Sequence, residues 1–208
     1  MGSVGRRFAA LTLDNLGDIG PPCRSCVFWE LDDVAGRRAV EAGDPELEKE
    51  AWFSAVLLEW GSRGTITYAV DTPVGYTTFA PASFVPRSAT FPTSPISADA
   101  IQLITAHVVP DLRGQGFGRA LVQAAARGLV RRGVKAIEAF GDARDDEQGC
   151  VLPADFLLAV GFKTIRPHPT WPRLRLELTA MITSTEAVEV ALDGIIDAAR
   201  PEPALRPV

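Results

Sequence analysis

The segment from Val108 to Arg119, VVPDLRGQGFGR, holds the densest chemistry in the chain. An apolar run and a turn lead into three alternating glycines, Gly114, Gly116 and Gly118. Arg113 and Arg119 flank them, and a long Ala/Leu/Arg stretch follows. Glycines let backbone approach a ligand closely, and a helix start presents unpaired N–H groups carrying partial positive charge. Together these make a cradle for phosphate, to which the two arginines add charge-assisted hydrogen bonds. A plain tight turn before a helix has the same composition, and the charge pattern shifts the balance toward the cradle. No acid lies between Asp111 and Glu138, whereas Arg113, Arg119, Arg127, Arg131, Arg132 and Lys135 do, in a chain of net charge −5. A local basic zone in an acidic protein suits a polyanionic ligand.

Two familiar phosphate loops are excluded. A dinucleotide fingerprint begun at Gly114 needs glycine where Arg119 stands, and one begun at Gly116 needs it where Leu121 stands. No Gly-Lys-Ser/Thr tripeptide occurs for a nucleotide P-loop. What remains is Arg-x-x-Gly-x-Gly (Arg113, Gly116, Gly118), preceded by Val-x-Pro and followed by a helix. This resembles the acetyl-CoA-binding signature of the GNAT acyltransferases, the GCN5-related N-acetyltransferases.

The resemblance implies transfer of an acetyl group from acetyl-CoA to a primary amine: a protein lysine, a protein N-terminus or a small molecule. It assigns the pyrophosphate to Arg113, Gly114, Gln115, Gly116, Phe117, Gly118 and Arg119. Polarisation of the acetyl carbonyl falls to a backbone N–H at about Val108–Val109, since Pro110 has none to give. Many family members carry a general-acid tyrosine in the short helix before a Gly-Phe pair. Here the pair is Gly161-Phe162 and the tyrosine position is Leu157, with Phe156 beside it, so the usual acid is missing. Water or a side chain such as Tyr76 is the candidate substitute acid and His107 the candidate base, with Glu138 a further candidate base. A strand histidine facing away, a core tyrosine and a structural carboxylate are the competing readings of these three. Asp155 is a weaker candidate acid, Glu30 and Asp32 are weaker candidates for lining the acceptor mouth, and His168 for shaping the pocket. The alternative for the whole chain is a catalytically degenerate coenzyme-A-binding module; a nucleotide-binding protein ranks third.

The elements that must position these residues follow from pattern. At 208 residues and 47% hydrophobic, the chain is long enough for one well-cored domain. Its acidic balance argues against nucleic acid, and its apolar runs are too short for a membrane span, so a cytoplasmic location is expected. Cys23-x-x-Cys26 has half the spacing of a zinc site, but no second close pair completes it and no metal is expected.

Residues 1–22 read as a leader and 25–31 as a first strand. Helix is expected at 33–42 and from Pro45, whose apolar face runs through Leu47, Phe53 and Leu58 to Gly61. A hairpin follows over 64–80, then a Pro-rich loop, a strand at 101–109, a helix at 117–132 and a strand at 135–140. A short helix at 153–160 and strands at 162–166 and 174–179 complete the pattern. This order predicts an α/β domain over 23–180: a GNAT-like mixed, largely antiparallel sheet flanked by helices. Thr183-x-x-Glu186 then opens an extra C-terminal helix over 181–200, whose apolar stripe either docks on its own sheet or joins two chains as a homodimer. A disordered tail is expected at 201–208.

Overall fold

The computed structural model describes residues 6–144 and 149–178; the expected helix at 181–200 and the tail after it lie outside the described residues. The first strand is not where its composition pointed. β1 is Arg6–Ala10, within the expected leader, and it pairs antiparallel with β2 (Gly64–Ala69), Arg6 opposite Ala69. The stretch expected as a strand, Ser25 to Leu31, is a succession of turns. Its apolar residues serve burial rather than a ladder: Val27 and Trp29 enter the core, and Trp29 stacks on Phe91 with ring centroids 5.2 Å apart. With Arg6 and Arg7 exposed on the sheet edge, β1 carries little of the apolar signal that marks a strand, and such charges discourage pairing with another chain.

α1 (Asp33–Ala42) starts where the Asp32 carboxylate accepts from the Val34 and Ala35 N–H groups, both at 2.8 Å, and it ends at Gly43 in the left-handed region. A cap of this kind contributes about 1 kcal/mol. α2 (Pro45–Trp60) begins with proline in its first turn and ends at Gly61, φ 87°. Its buried face is Lys49, Trp52, Phe53 and Val56, one stripe at helical spacing. Leu47 and Leu58, expected on that stripe, are exposed, because the face is rotated to bring Lys49 inward.

β2 and β3 (Thr72–Ala80) form the expected hairpin, closed by Val70-Asp71. β4 (Ala100–Val108) follows the Pro-rich connection, and α3 (Phe117–Val130) buries Leu121, Val122, Ala125, Ala126 and Leu129 against the sheet. Then come β5 (Ala136–Asp142), the two-residue β6 (Leu152–Pro153), α4 (Ala154–Ala159), β7 (Lys163–Arg166) and β8 (Arg173–Glu177). The sheet order is β1-β2-β3-β4-β5-β8-β7, with β6 beside β5. Pairing is antiparallel except for β4 with β5 and β5 with β6. The mixed α/β architecture with flanking helices is as expected.

Two irregularities in the middle of the sheet make room for a site. Against β3, Thr105 faces Thr78 while Leu103 faces Phe79, so β4 carries one extra residue at Ile104. A bulge of this kind bends the strand. The parallel ladder between β4 and β5 runs only from Ala100–Ala136 to Gln102–Glu138, beyond which the strands are unpaired. One face of the sheet packs α2 and the aromatic residues around Trp29; the other packs α3 and α4.

Candidate active site

The glycine loop leaves β4 at the unpaired end of this gap. The Val109 N–H donates to the Val74 carbonyl on β3 at 2.9 Å. Successive strand N–H groups point to opposite sides, so that of Val108 points away from β3, toward β5. The Arg113 Nε donates to the Val108 carbonyl at 3.2 Å, which folds the turn back on the strand end. Gly114 and Gly116 have φ of 74° and 82°, a conformation that favours glycine. A Cβ added at either would meet nothing within 4 Å, so open space lies beside this backbone. Gly116 caps α3 without a side-chain bond, which leaves N–H groups of the first turn to a ligand. These features fit a coenzyme pyrophosphate.

Gly118 has a different reason to be glycine. A Cβ there would lie 2.8 Å from the Phe156 ring, so its bareness lets α4 pack on α3. The Phe117 side chain is buried with Val74, Val108 and Leu121, leaving only its backbone to a ligand. Arg119 bonds the Ala159 carbonyl at the end of α4. Arg6, which sequence reasoning sets aside with the leader, braces the loop: it donates to the Gln115 carbonyl at 2.9 Å and lies 4.2 Å from the centre of the Phe117 ring. No local pattern announces a residue brought to the loop from the edge strand β1.

On the opposite face, Tyr76 of β3 and His107 of β4 are cross-strand partners with rings 5.7 Å apart. His107 is half-buried, and burial followed by the Arg113 charge lowers its pKa below the ordinary imidazole value. Tyr76 is buried, and desolvation with the neighbouring Cys23 raises its pKa. Glu138 is fully buried at the foot of the gap, accepting from Arg175 at 3.0 Å and from the Ser97 N–H at 3.1 Å, with Arg173 3.2 Å away. Burial alone would raise its pKa, but the hydrogen bonds from Ser97 and Arg175 and the Arg173 charge outweigh this and hold it below the usual carboxylate value. Leu157, where the usual tyrosine would stand, is fully buried among the residues under α4.

Glu30, Asp32 and the second histidine have structural partners, and Asp155 faces solvent. Glu30 is buried and ion-paired with Lys49 at 2.6 Å, Asp32 caps α1, and Asp155 is exposed. His168 Nδ1 accepts from the N–H groups of Thr170 and Trp171, at 3.1 and 2.9 Å, and so sets the loop between β7 and β8. That loop carries Trp171 to a cavity of about 320 Å³ also lined by Phe28, Phe91, Asp142, Cys150 and Val151. Its charged members are paired, Arg144 with Asp142 at 2.8 Å and Arg87 with Asp33, and the exposed walls are chiefly apolar, with Phe28, Phe91 and Trp171 as the aromatic members. Sequence reasoning misses this cavity because its walls come from four separate connections. Among the described residues no three His, Cys, Asp or Glu side chains cluster as metal ligands, and no helix is long and apolar enough to cross a membrane.

Residues 24–150 match the model of the acetyltransferase (GNAT) family. Solved structures share the fold at low identity. The PaiA N-acetyltransferase of Thermoplasma acidophilum, in complex with coenzyme A, is 10% identical with a TM-score of 0.55, covering 83% of this chain and 99% of its own. An N-acetyltransferase from Staphylococcus aureus is 17% identical with a TM-score of 0.53, covering 84% and 99%. An acetyltransferase from Thermus thermophilus is 17% identical with a TM-score of 0.51, covering 85% and 99%. No curated protein sequence matches.

Proposed function

The chain belongs to the acetyltransferase (GNAT) family, and from that premise we propose that it moves an acetyl group from acetyl-CoA to a primary amine. The observation that carries the reading is the juxtaposition of an open glycine cradle with a strand end whose N–H faces an unpaired gap. Backbone N–H groups from Gly114 to Arg119 hold the pyrophosphate, with Arg113 and Arg119 supplying positive charge. The Val108 N–H polarises the acetyl carbonyl, because that of Val109 is already given to Val74. The amine, a protein lysine, an N-terminus or a small molecule, enters by the aromatic cavity and attacks the carbonyl carbon.

His107 is the base we favour. Its lowered pKa keeps the imidazole neutral at pH 7, and it lies on the strand that ends at Val108. Glu138, ionised and held by two arginines, is a weaker proton acceptor, and its role in this reading is to tie β5 to β8. Tyr76 keeps its proton and is the remaining candidate acid. A coenzyme-A-binding module without catalysis is the second reading, favoured by the burial of Leu157 at the usual acid position.

Calorimetry with acetyl-CoA and free coenzyme A, with NAD and ATP as controls, followed by turnover against a panel of amines, separates these readings. Selective coenzyme binding with turnover supports the transferase, and binding without turnover supports the module. No coenzyme binding would remove both.

A further inference from the structure

The cysteines of this chain are not equivalent. Cys26 lies in the turns before α1 and Cys150 just before β6, yet their sulfur atoms are 3.3 Å apart across a sequence separation of 124 residues. Cys23 instead meets the Tyr76 hydroxyl. The backbone at both members of the pair is held by buried side chains. The Trp29 Nε1 donates to the Cys150 carbonyl at 2.8 Å, and Lys49 donates to the Cys26 carbonyl while ion-paired with Glu30. Neither thiol is sealed off: Cys26 is half-exposed and Cys150 exposed, on the wall of the aromatic cavity. An approach of a little over 1 Å brings the sulfurs to a bond length of about 2.05 Å.

We propose that Cys26 and Cys150 form a peroxide-reactive dithiol that closes reversibly into a disulfide on the cavity wall. Cys26 is the attacking member. The hydrogen bonds from Cys150 and the Phe28 backbone, with the Lys49 charge, outweigh burial and the Glu30 charge and bring its pKa down to about 6, whereas Cys150 is pushed up, because its proton is held between the two sulfurs. At neutral pH one thiolate and one thiol therefore face each other, the arrangement of an attacking and a resolving cysteine. The Cys26 thiolate attacks an oxygen of hydrogen peroxide: an S–O bond forms, the O–O bond breaks, and the departing hydroxide takes a proton to become water. The Cys150 sulfur then attacks the sulfenic sulfur, the S–S bond forms, and the hydroxyl leaves with the Cys150 proton as a second water. Two electrons pass from the thiols to the peroxide, and two equivalents of a small-molecule thiol return them, leaving as its disulfide.

The chemistry of the pair does not depend on the cavity being the acceptor's entrance. The test therefore uses the full chain with equimolar hydrogen peroxide, without acetyl-CoA or amine, read by intact mass and peptide mapping. The expected result is loss of two hydrogen atoms, a peptide linking Cys26 to Cys150, and reversal by dithiothreitol, all retained in Cys23→Ser. In Cys150→Ala oxidation should halt at a dimedone-trappable sulfenic acid on Cys26. The midpoint for Cys26 alkylation should rise from about 6 in that variant, since the donor is gone. A link through Cys23, or wild-type protein with no linked peptide, overturns the proposal even if the alanine variant cannot be prepared folded. Coenzyme binding is measured separately, so failure here and failure of the transferase reading are told apart.

Discussion

Gly116→Asp is the most demanding test of the coenzyme site, because its effect is worked out against a matched control. Position 116 has φ 82°, and a side chain there enters open space beside the first turn of α3. Left-handed backbone costs a residue with a Cβ about 1–2 kcal/mol, and Asp and Asn tolerate it comparably well. Gly116→Asn therefore carries the same strain and nearly the same volume without the charge. A carboxylate about 5 Å from one phosphate charge, at an effective dielectric constant near 20, is repelled by about 3 kcal/mol. The Asp variant should then bind acetyl-CoA roughly 100-fold more weakly than the Asn variant, at about 1.4 kcal/mol per decade. Isothermal calorimetry on both, beside thermal melts showing equal stability, measures the difference. It should shrink at high salt, since the site is exposed. Equal affinity of the two folded variants would refute the placement of the pyrophosphate at this backbone.

Four further outcomes are expected. His107→Gln should remove from the pH profile of the amine-dependent rate the inflection at a pKa below the ordinary imidazole value, leaving the amine's own titration, while coenzyme affinity holds; an unchanged pH profile would remove His107 as base. Glu138→Gln should cost about 3 kcal/mol in chemical denaturation, because Arg173 and Arg175 lose their buried counter-charge, and turnover per folded molecule should hold. Arg6→Ala should weaken acetyl-CoA binding by about 1 kcal/mol through loss of its contacts to Gln115 and Phe117, a change calorimetry resolves. Val70→Gly should stabilise the chain by about 1 kcal/mol, seen as a raised melting temperature, since Val70 sits at φ 59° in the exposed hairpin turn.

What can be read from sequence is whatever local chemistry dictates. Pro45 and Gly61 bound α2 because caps and breakers act within a few residues, whereas Asp32, a candidate for the acceptor mouth on sequence, caps α1. The glycine loop is legible for the same reason. The failures are residues whose roles are set across the sheet. Arg6 and Arg7 look like a solvated leader until β2 supplies the edge they pair with. Val27 and Trp29 look like a strand until Phe91 and Phe140 supply the stack that buries Trp29. Pattern alone puts Leu47 and Leu58 inward on α2, because nothing in it shows that a lysine takes the buried stripe. Sequence groups Gly118 with its neighbours in the cradle, and only Phe156 reveals that it serves packing.

The missing tyrosine weighs less against catalysis than the number of lost groups suggests. The departing coenzyme thiol has a pKa of about 8.5, so leaving as thiolate at pH 7 and taking its proton from water costs no more than about 2 kcal/mol relative to leaving as thiol. The attacking alkylamine has a pKa of about 10.4, and the penalty for its being protonated at pH 7 is about 4.6 kcal/mol. Removing a proton from the nucleophile is therefore the larger task, and it falls to the base. Tyrosine at position 157 would place its hydroxyl in a packed apolar core unless α4 moved, and Gly118 against Phe156 fixes α4 where it is. In the mechanism proposed above, His107 supplies the larger contribution and the smaller one is forgone, which leaves transfer chemically feasible. The expected signature is a rate that rises with the alkalinity of the medium only until the amine itself is deprotonated, with no basic limb from a tyrosine. A basic limb that disappears in Tyr76→Phe, with the stability of that variant unchanged, would restore a general acid and overturn this ordering of the two proton transfers.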